Sequence, residues 1–270
     1  MKNKFIKVMI VLASLSIIST ATVFAGQGAQ RMLYTAPNSS FIQNPSGDNV
    51  VTINDTSGSV STLQTLINSA RATNPNSIIV IHLLSGATYW VSNAGIALSS
   101  RECLVGTDAL IKATNSSVTV SLIQINAGST NVSVAGGTYD GNNANIYGIF
   151  APSTASRVNI DKVTVKNCGQ DCIQLNGNGD TTFDSEMTVT RCDVSGSPAH
   201  SGISFWNTTQ ATCIENYCHN SSVGIWMGNC AYANIANNIC VSNSVGINCN
   251  SGDDNYVVNN TCNDNGTGIY

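Results

Sequence analysis

Residues 192–270 read as successive turns: CDVSGSPAHSGISFWNTTQATCIENY (192–217), CHNSSVGIWMGNCAYANIANNI (218–239), CVSNSVGINCNSGDDNYVVNNT (240–261) and CNDNGTGIY (262–270). A Gly-Ile pair returns at Gly202, Gly224, Gly246 and Gly268. The same step separates Cys218, Cys240 and Cys262, and also Asn216, Asn238 and Asn260. A fixed period of this size is the mark of a repeat architecture. Each unit is too short for two helices and is rich in Asn, Gly, Ser and β-branched residues, a composition that suits short strands joined by tight polar turns. One unit is then one coil of a parallel β-helix, hydrogen-bonded to the coils above and below.

The length allows one large domain or two small ones. The chain has 270 residues, 42% apolar and only 10% charged, against about 25% charged in an average globular chain. That is enough apolar material for a core and excludes disorder. The net charge is −4 and the pI about 5.2, so no basic face for nucleic acid is expected. Lys2, Lys4 and Lys7 precede the apolar run Val8 to Ile18, and Val23-Phe24-Ala25 offers small residues for cleavage, which together predict a secretory signal over 1–25. The run is broken by Ser14 and Ser16 and falls short of the ~20 residues of a membrane span. The mature chain, 26–270, is expected to be secreted or at the cell surface, with no membrane association after cleavage. It is expected to be monomeric or part of a longer chain, because it ends within a coil.

Ten cysteines in an exported chain first suggest disulfides. Cys168, Cys192, Cys218, Cys240 and Cys262 each begin a turn, however, and a stacked interior column of free thiols is the favoured expectation. Stacked neighbours on parallel rungs rarely offer the torsion of a disulfide, and a column does not converge on a tetrahedral metal.

In chain order, Ser61 to Arg71 carries helical periodicity at Leu63, Leu66, Ile67 and Ala70, with Ser61 and Gln64 as a capping box and Pro75 as a stop. The run Ile78 to Leu84, then Tyr89 to Val91, Ile96 to Leu98 and Leu104-Val105, predict strands. From Asn131 onward, Ile149, Ile173, Ile203, Ile225, Ile247 and Ile269 align as one interior column, followed inward by Ala151, Leu175, Phe205, Met227 and Cys249. Side chains alternate across a strand, so Phe150, Gln174, Ser204, Trp226, Asn248 and Tyr270 should point outward, as should Pro152, Asn176, Trp206, Gly228 and Asn250.

Aromatics among amides and a hydroxyl on one face suit sugar rings, which stack on aromatic faces and hydrogen-bond to amides. Gln174, Asn176, Ser204, Trp206, Trp226, Asn248 and, one rung down, Tyr147 are therefore candidate substrate-binding residues. Asp171, just before one strand, and His200, just before the next, could supply general acid and base. Asp140-Gly141-Asn142 is a turn rather than a catalytic group. No metal or other cofactor is required. Asp180, Asp184 and Glu186, or Asp253 and Asp254, could offer oxygen ligands to Ca²⁺, but neither group has a loop signature.

The helix, SIIVIHLLSGATYWV and NVSVAGGTYDGN together resemble the opening of pectin-lyase-like right-handed parallel β-helix proteins, whose N-terminal helix caps the coil. The resemblance implies the handedness. A narrower resemblance links QDCIQL and HSGISF to the D-D-C and G-H-G strands of polygalacturonase-type glycoside hydrolases, matching Asp171 to the second aspartate and His200 to the histidine. Gln170 replaces the first aspartate, Tyr147 stands where the N-T-D aspartate belongs, and no R-I-K follows, since Lys and Arg are absent after Arg191. The implied function is a polysaccharide-cleaving enzyme. Hydrolase is favoured over lyase because uronate lyases of this fold use Lys or Arg. The alternative is a non-catalytic glycan-binding or surface-display solenoid.

Overall fold

A computed structural model describes residues 49–177, 186–249 and 251–270. The expected signal segment lies outside them. Three parallel sheets run the length of the molecule: sheet 1 has nine strands, and sheets 2 and 3 have eight each. The chain visits them in rotation. Thr212–Ile214 lies in sheet 1, Tyr217–His219 in sheet 2 and Val223–Gly228 in sheet 3, and the next coil repeats the order with Asn234–Ala236, Ile239–Val241 and Val245–Asn248.

The two-residue corner between sheets 1 and 2 explains the composition. Gly136, Lys162, Arg191, Glu215, Asn237 and Asn259 occupy its first position in successive coils, and all have left-handed positive φ, from 53° at Lys162 to 66° at Gly136. Left-handed backbone excludes β-branched residues and favours Gly and Asn. The second corner position holds a ladder of amides. Asn216 Nδ2 donates to Asn238 Oδ1 and Asn238 Nδ2 to Asn260 Oδ1, each at 2.9 Å, and the amides also reach the carbonyls of Val189, Cys213 and Ile235. A second ladder, Asn243 to Asn265, closes the corner between sheets 2 and 3 at 3.1 Å.

These ladders correct the expected cysteine column. Cys192 sits at the foot of the first ladder, its N–H on Asn216 Oδ1 at 3.0 Å. Cys168 lies two residues beyond Lys166, in register with Ser197, Ser221 and Asn243 at the foot of the second. The thiol column is Cys218, Cys240 and Cys262, continued downward by Val194 and Val165. All ten cysteines are free.

The helix spans Val60–Thr73 and buries Val60, Leu63 and Ile67 against the first coil, while Leu66 stays 40% exposed. Its cap is Ser59, whose hydroxyl accepts from Thr62 N, rather than the expected Ser61. Gln64 instead grips the sheet 3 strand Ile96–Leu98, bonding both the N–H and the C=O of Ala97. Arg71 holds the buried Glu102 through two bonds of 2.8 and 2.9 Å. The interior isoleucines of sheet 3 pair in the expected register, and Ile149, Ile173, Ile203, Ile225 and Ile247 are fully buried. Ile269 departs from the expectation. It pairs with Ile247 but is 53% exposed, because its strand has a neighbour on one side only.

Candidate functional site

The outer face of sheet 3 carries the expected columns. Phe150, Gln174, Ser204, Trp226 and Asn248 align in one, and Asn176, Trp206 and Gly228 in the next. Asn250 lies outside the described residues. Two features differ from expectation. Trp206 and Trp226 stack on each other, ring centroids 4.7 Å apart at 26°. Each indole spends one face on the other, so the pair makes a single layered platform rather than two. Gly228 permits this, since a Cβ there would overlap both indoles. Ser204 is fully buried rather than presented to solvent. Gln174 Nε2 donates to Asn176 Oδ1 at 3.0 Å, while Gln174 Oε1 and Ser204 Oγ are buried without a full hydrogen bond.

Asp171 and His200 come together beside this platform. They line one hollow of about 240 Å³ with Ser201, Ser222, Trp226 and Asn248. Asp171 is 8% exposed. Its Oδ1 accepts the Ser201 N–H at 2.6 Å. Burial pushes the carboxyl above its ordinary range. The Ser201 N–H, the His200 charge and the nearby Ser201 and Ser204 hydroxyls offset this only in part. Ser204 thus favours the anion from a geometry short of a hydrogen bond. The His200 carbonyl accepts from Ser222 N at 3.0 Å, which fixes its turn to the coil above. Tyr147 stacks on Phe150 at 4.8 Å. Burial and the Asp171 charge both push its phenol up, so it flanks the carboxyl from the coil below without lining the hollow. Gln174, Asn176, Ser204 and Trp206 also lie outside the hollow, farther along the same face.

Ser201 and Ser222 were not singled out from the sequence. Ser201 pairs with Val223, which sets Ser222 in line with His200. Continuing the repeat backward from Val223 would have found it.

Asp140 is a structural turn residue, as expected. Its Oδ1 accepts from Asn142 N at 2.9 Å and Asn167 Nδ2 at 3.0 Å, and Lys112 lies 3.2 Å from Oδ2. Burial would raise its pKa, but the hydrogen bonds and Lys112 together hold it below the usual carboxylate value. Of the suggested Ca²⁺ ligands, Asp180 and Asp184 lie outside the described residues, and Glu186 pairs with Arg157 at 3.1 Å. Asp253 and Asp254 are exposed. Among the described residues no group of three or more His, Cys, Asp or Glu is placed to hold a metal.

The family model for the right handed beta helix region matches residues 147–270, the coils that carry the hollow. The match agrees with a right-handed parallel β-helix, the coil that the three parallel sheets build. Solved structures similar to this β-helix include A-modules of two Azotobacter vinelandii mannuronan C-5 epimerases. With AlgE6 the identity is 15% over 76% of this chain and 72% of the other, at a TM-score of 0.40. With AlgE4 it is 13% over 78% and 92%, at 0.37. No curated protein matches the sequence.

Proposed function

We propose that this β-helix is an exported carbohydrate-active protein that holds a polysaccharide across sheet 3 and hydrolyses it at the hollow. The observation that carries this is the pairing of a buried carboxyl, shifted toward its protonated form, with an imidazole beside a layered indole platform. The indole edge and outer face suit the C–H surface of a sugar ring. Protonated Asp171 donates to the glycosidic oxygen as the C1–O bond breaks. His200 takes a proton from the water whose oxygen forms the new bond to C1. Export rests on the signal-like N-terminus.

Reducing-sugar release from a glycan panel tests this. Asp171→Asn should lower the rate at least about 100-fold, the ordinary contribution of a general acid. Equal rates would remove Asp171 from the chemistry. One observation favours a second reading, glycan binding without turnover: among the described residues Asp171 is the sole carboxyl lining the hollow, whereas most glycoside hydrolases flank the bond with two. Binding lost in Trp226→Ala, with no sugar released by the wild-type protein, would establish it.

A further inference from the structure

We propose that the polysaccharide held on sheet 3 is electrically neutral, a chain of hexose or pentose units without carboxylate or sulfate groups. The proposal rests on sheet 3 being a glycan face and names the class of glycan.

The first observation is where the positive charge lies. Every lysine and arginine among the described residues belongs to the helix, to sheets 1 and 2, or to the corners that enter them. Those with the best-defined partners are already committed: Arg71 to Glu102, Lys112 to Asp140, Arg157 to Glu186 and Arg191 to Asp161. Among the described residues no lysine or arginine lines the hollow, and His200 is the one group there able to carry positive charge. A polyanion is ordinarily gripped by the fork of an arginine or the ammonium of a lysine at each charged unit. Sheet 3 offers neither along Phe150, Gln174, Ser204, Trp226 and Asn248.

The second observation is what the face offers instead. Its polar groups are amides and hydroxyls, and its largest surface is the stacked pair Trp206–Trp226. The face of an aromatic ring carries negative electrostatic potential, so it attracts sugar C–H groups and repels a carboxylate. The hollow also holds the Asp171 carboxyl, which burial disfavours as an anion. A substrate carboxylate entering beside it would meet the same desolvation cost, without a lysine or arginine among the described residues there to offset it.

The test measures binding of the full-length protein to a neutral hexasaccharide series (gluco-, manno- and xylo-hexaose) and to hexagalacturonate and hexamannuronate. It is run at about pH 8, above ordinary imidazole titration, in about 20 mM and about 500 mM NaCl. Asp171→Asn is used to suppress turnover. A neutral hexasaccharide should bind with an affinity that changes less than about twofold with salt, and both uronates should bind at least about tenfold more weakly. Trp226→Ala, checked for folding by circular dichroism, should abolish the neutral binding. Tighter binding of a uronate, weakened by salt, would overturn neutrality while keeping sheet 3 as a glycan face. Neutral binding that survives in folded Trp226→Ala would overturn the placement on sheet 3. Absence of binding by every sugar would overturn the glycan face itself, and neutrality with it.

Discussion

The lower and upper coils are filled differently although one column of sheet 2 runs through both. That column begins with Tyr89, Ile111 and Tyr139, passes through Val165 and Val194, and ends with Cys218, Cys240 and Cys262. The lower coils fill their section with large side chains. They close the corner after sheet 1 with backbone alone, at Gly136 and Gly137, where the buried Tyr139 hydroxyl donates to Gly136 O at 3.2 Å. The upper coils use small thiols inside and a ladder of asparagine amides at the same corner. The ladder accompanies the strict period of the upper coils. An amide ladder works only if every coil presents the same group at the same height, so no residue can be added at that corner. An apolar column has no such demand, and the lower coils vary in length accordingly.

Substitutions at three positions probe this contrast by urea denaturation. In the lower coils, Tyr139→Ala should cost about 4 kcal/mol, the usual penalty for emptying a buried aromatic site. Tyr139 is fully buried. In the upper coils, Asn238→Ala should cost about 3 kcal/mol, because it removes the acceptor of the Asn216 backbone N–H and the side-chain bonds to Asn216 and to the Cys213 carbonyl in a buried corner. A loss below about 1 kcal/mol would show that the ladder accompanies the period without enforcing it. The thiol column should matter least. Cys240→Ala should cost about 1 kcal/mol from lost burial and a small void. Cys240→Ser should cost about 2 kcal/mol, since a hydroxyl there would be left without an assured partner. Thiol titration of the denatured, unreduced protein should return all ten cysteines.

The smallest effect is in the pH dependence, where Asp140 below and Asp171 above act with opposite sign. Asp140 is held below its ordinary value, so its contribution is present above the unfolded carboxylate pKa and is lost as the pH falls through its folded value. Asp171 is raised, so its contribution is present below the unfolded pKa and is lost as the pH rises through its folded value. In stability measured across pH, Asp140→Asn should flatten the acid limb. Asp171→Asn should instead raise stability on the neutral side relative to the acid side. Matching changes in both variants would contradict the two local environments.

The architecture was legible because a parallel coil makes like residues stack. Ile173, Ile203 and Ile225 could be aligned from their surroundings, and the strand alternation then assigned Gln174 and Trp226 outward. The cysteines misled for the same reason. Cys168, Cys192 and Cys218 open successive turns, but the coils containing them differ in length, and extra residues are absorbed at corners. Register pairs Asp193 with Thr164 and with Tyr217, which slides Cys192 off the thiol column and onto the asparagine corner. Asp171 and His200 stood out in the sequence from their places before strands, and they line one hollow. Ser222 was missed because a lone serine in a serine-rich repeat carries no signal until its register partner is known.

The sequence by itself determined the coil, its period in the upper half and which residues share a face, because period and alternation are properties of the backbone alone. Only the tertiary structure decided that Trp206 and Trp226 lean into one stack, that Ser204 is covered although it points outward, and that Asp171 is buried enough to favour its proton. These depend on side chains in neighbouring columns and coils competing for the same space. That competition is settled by packing across the sheet, and no one-dimensional pattern records it.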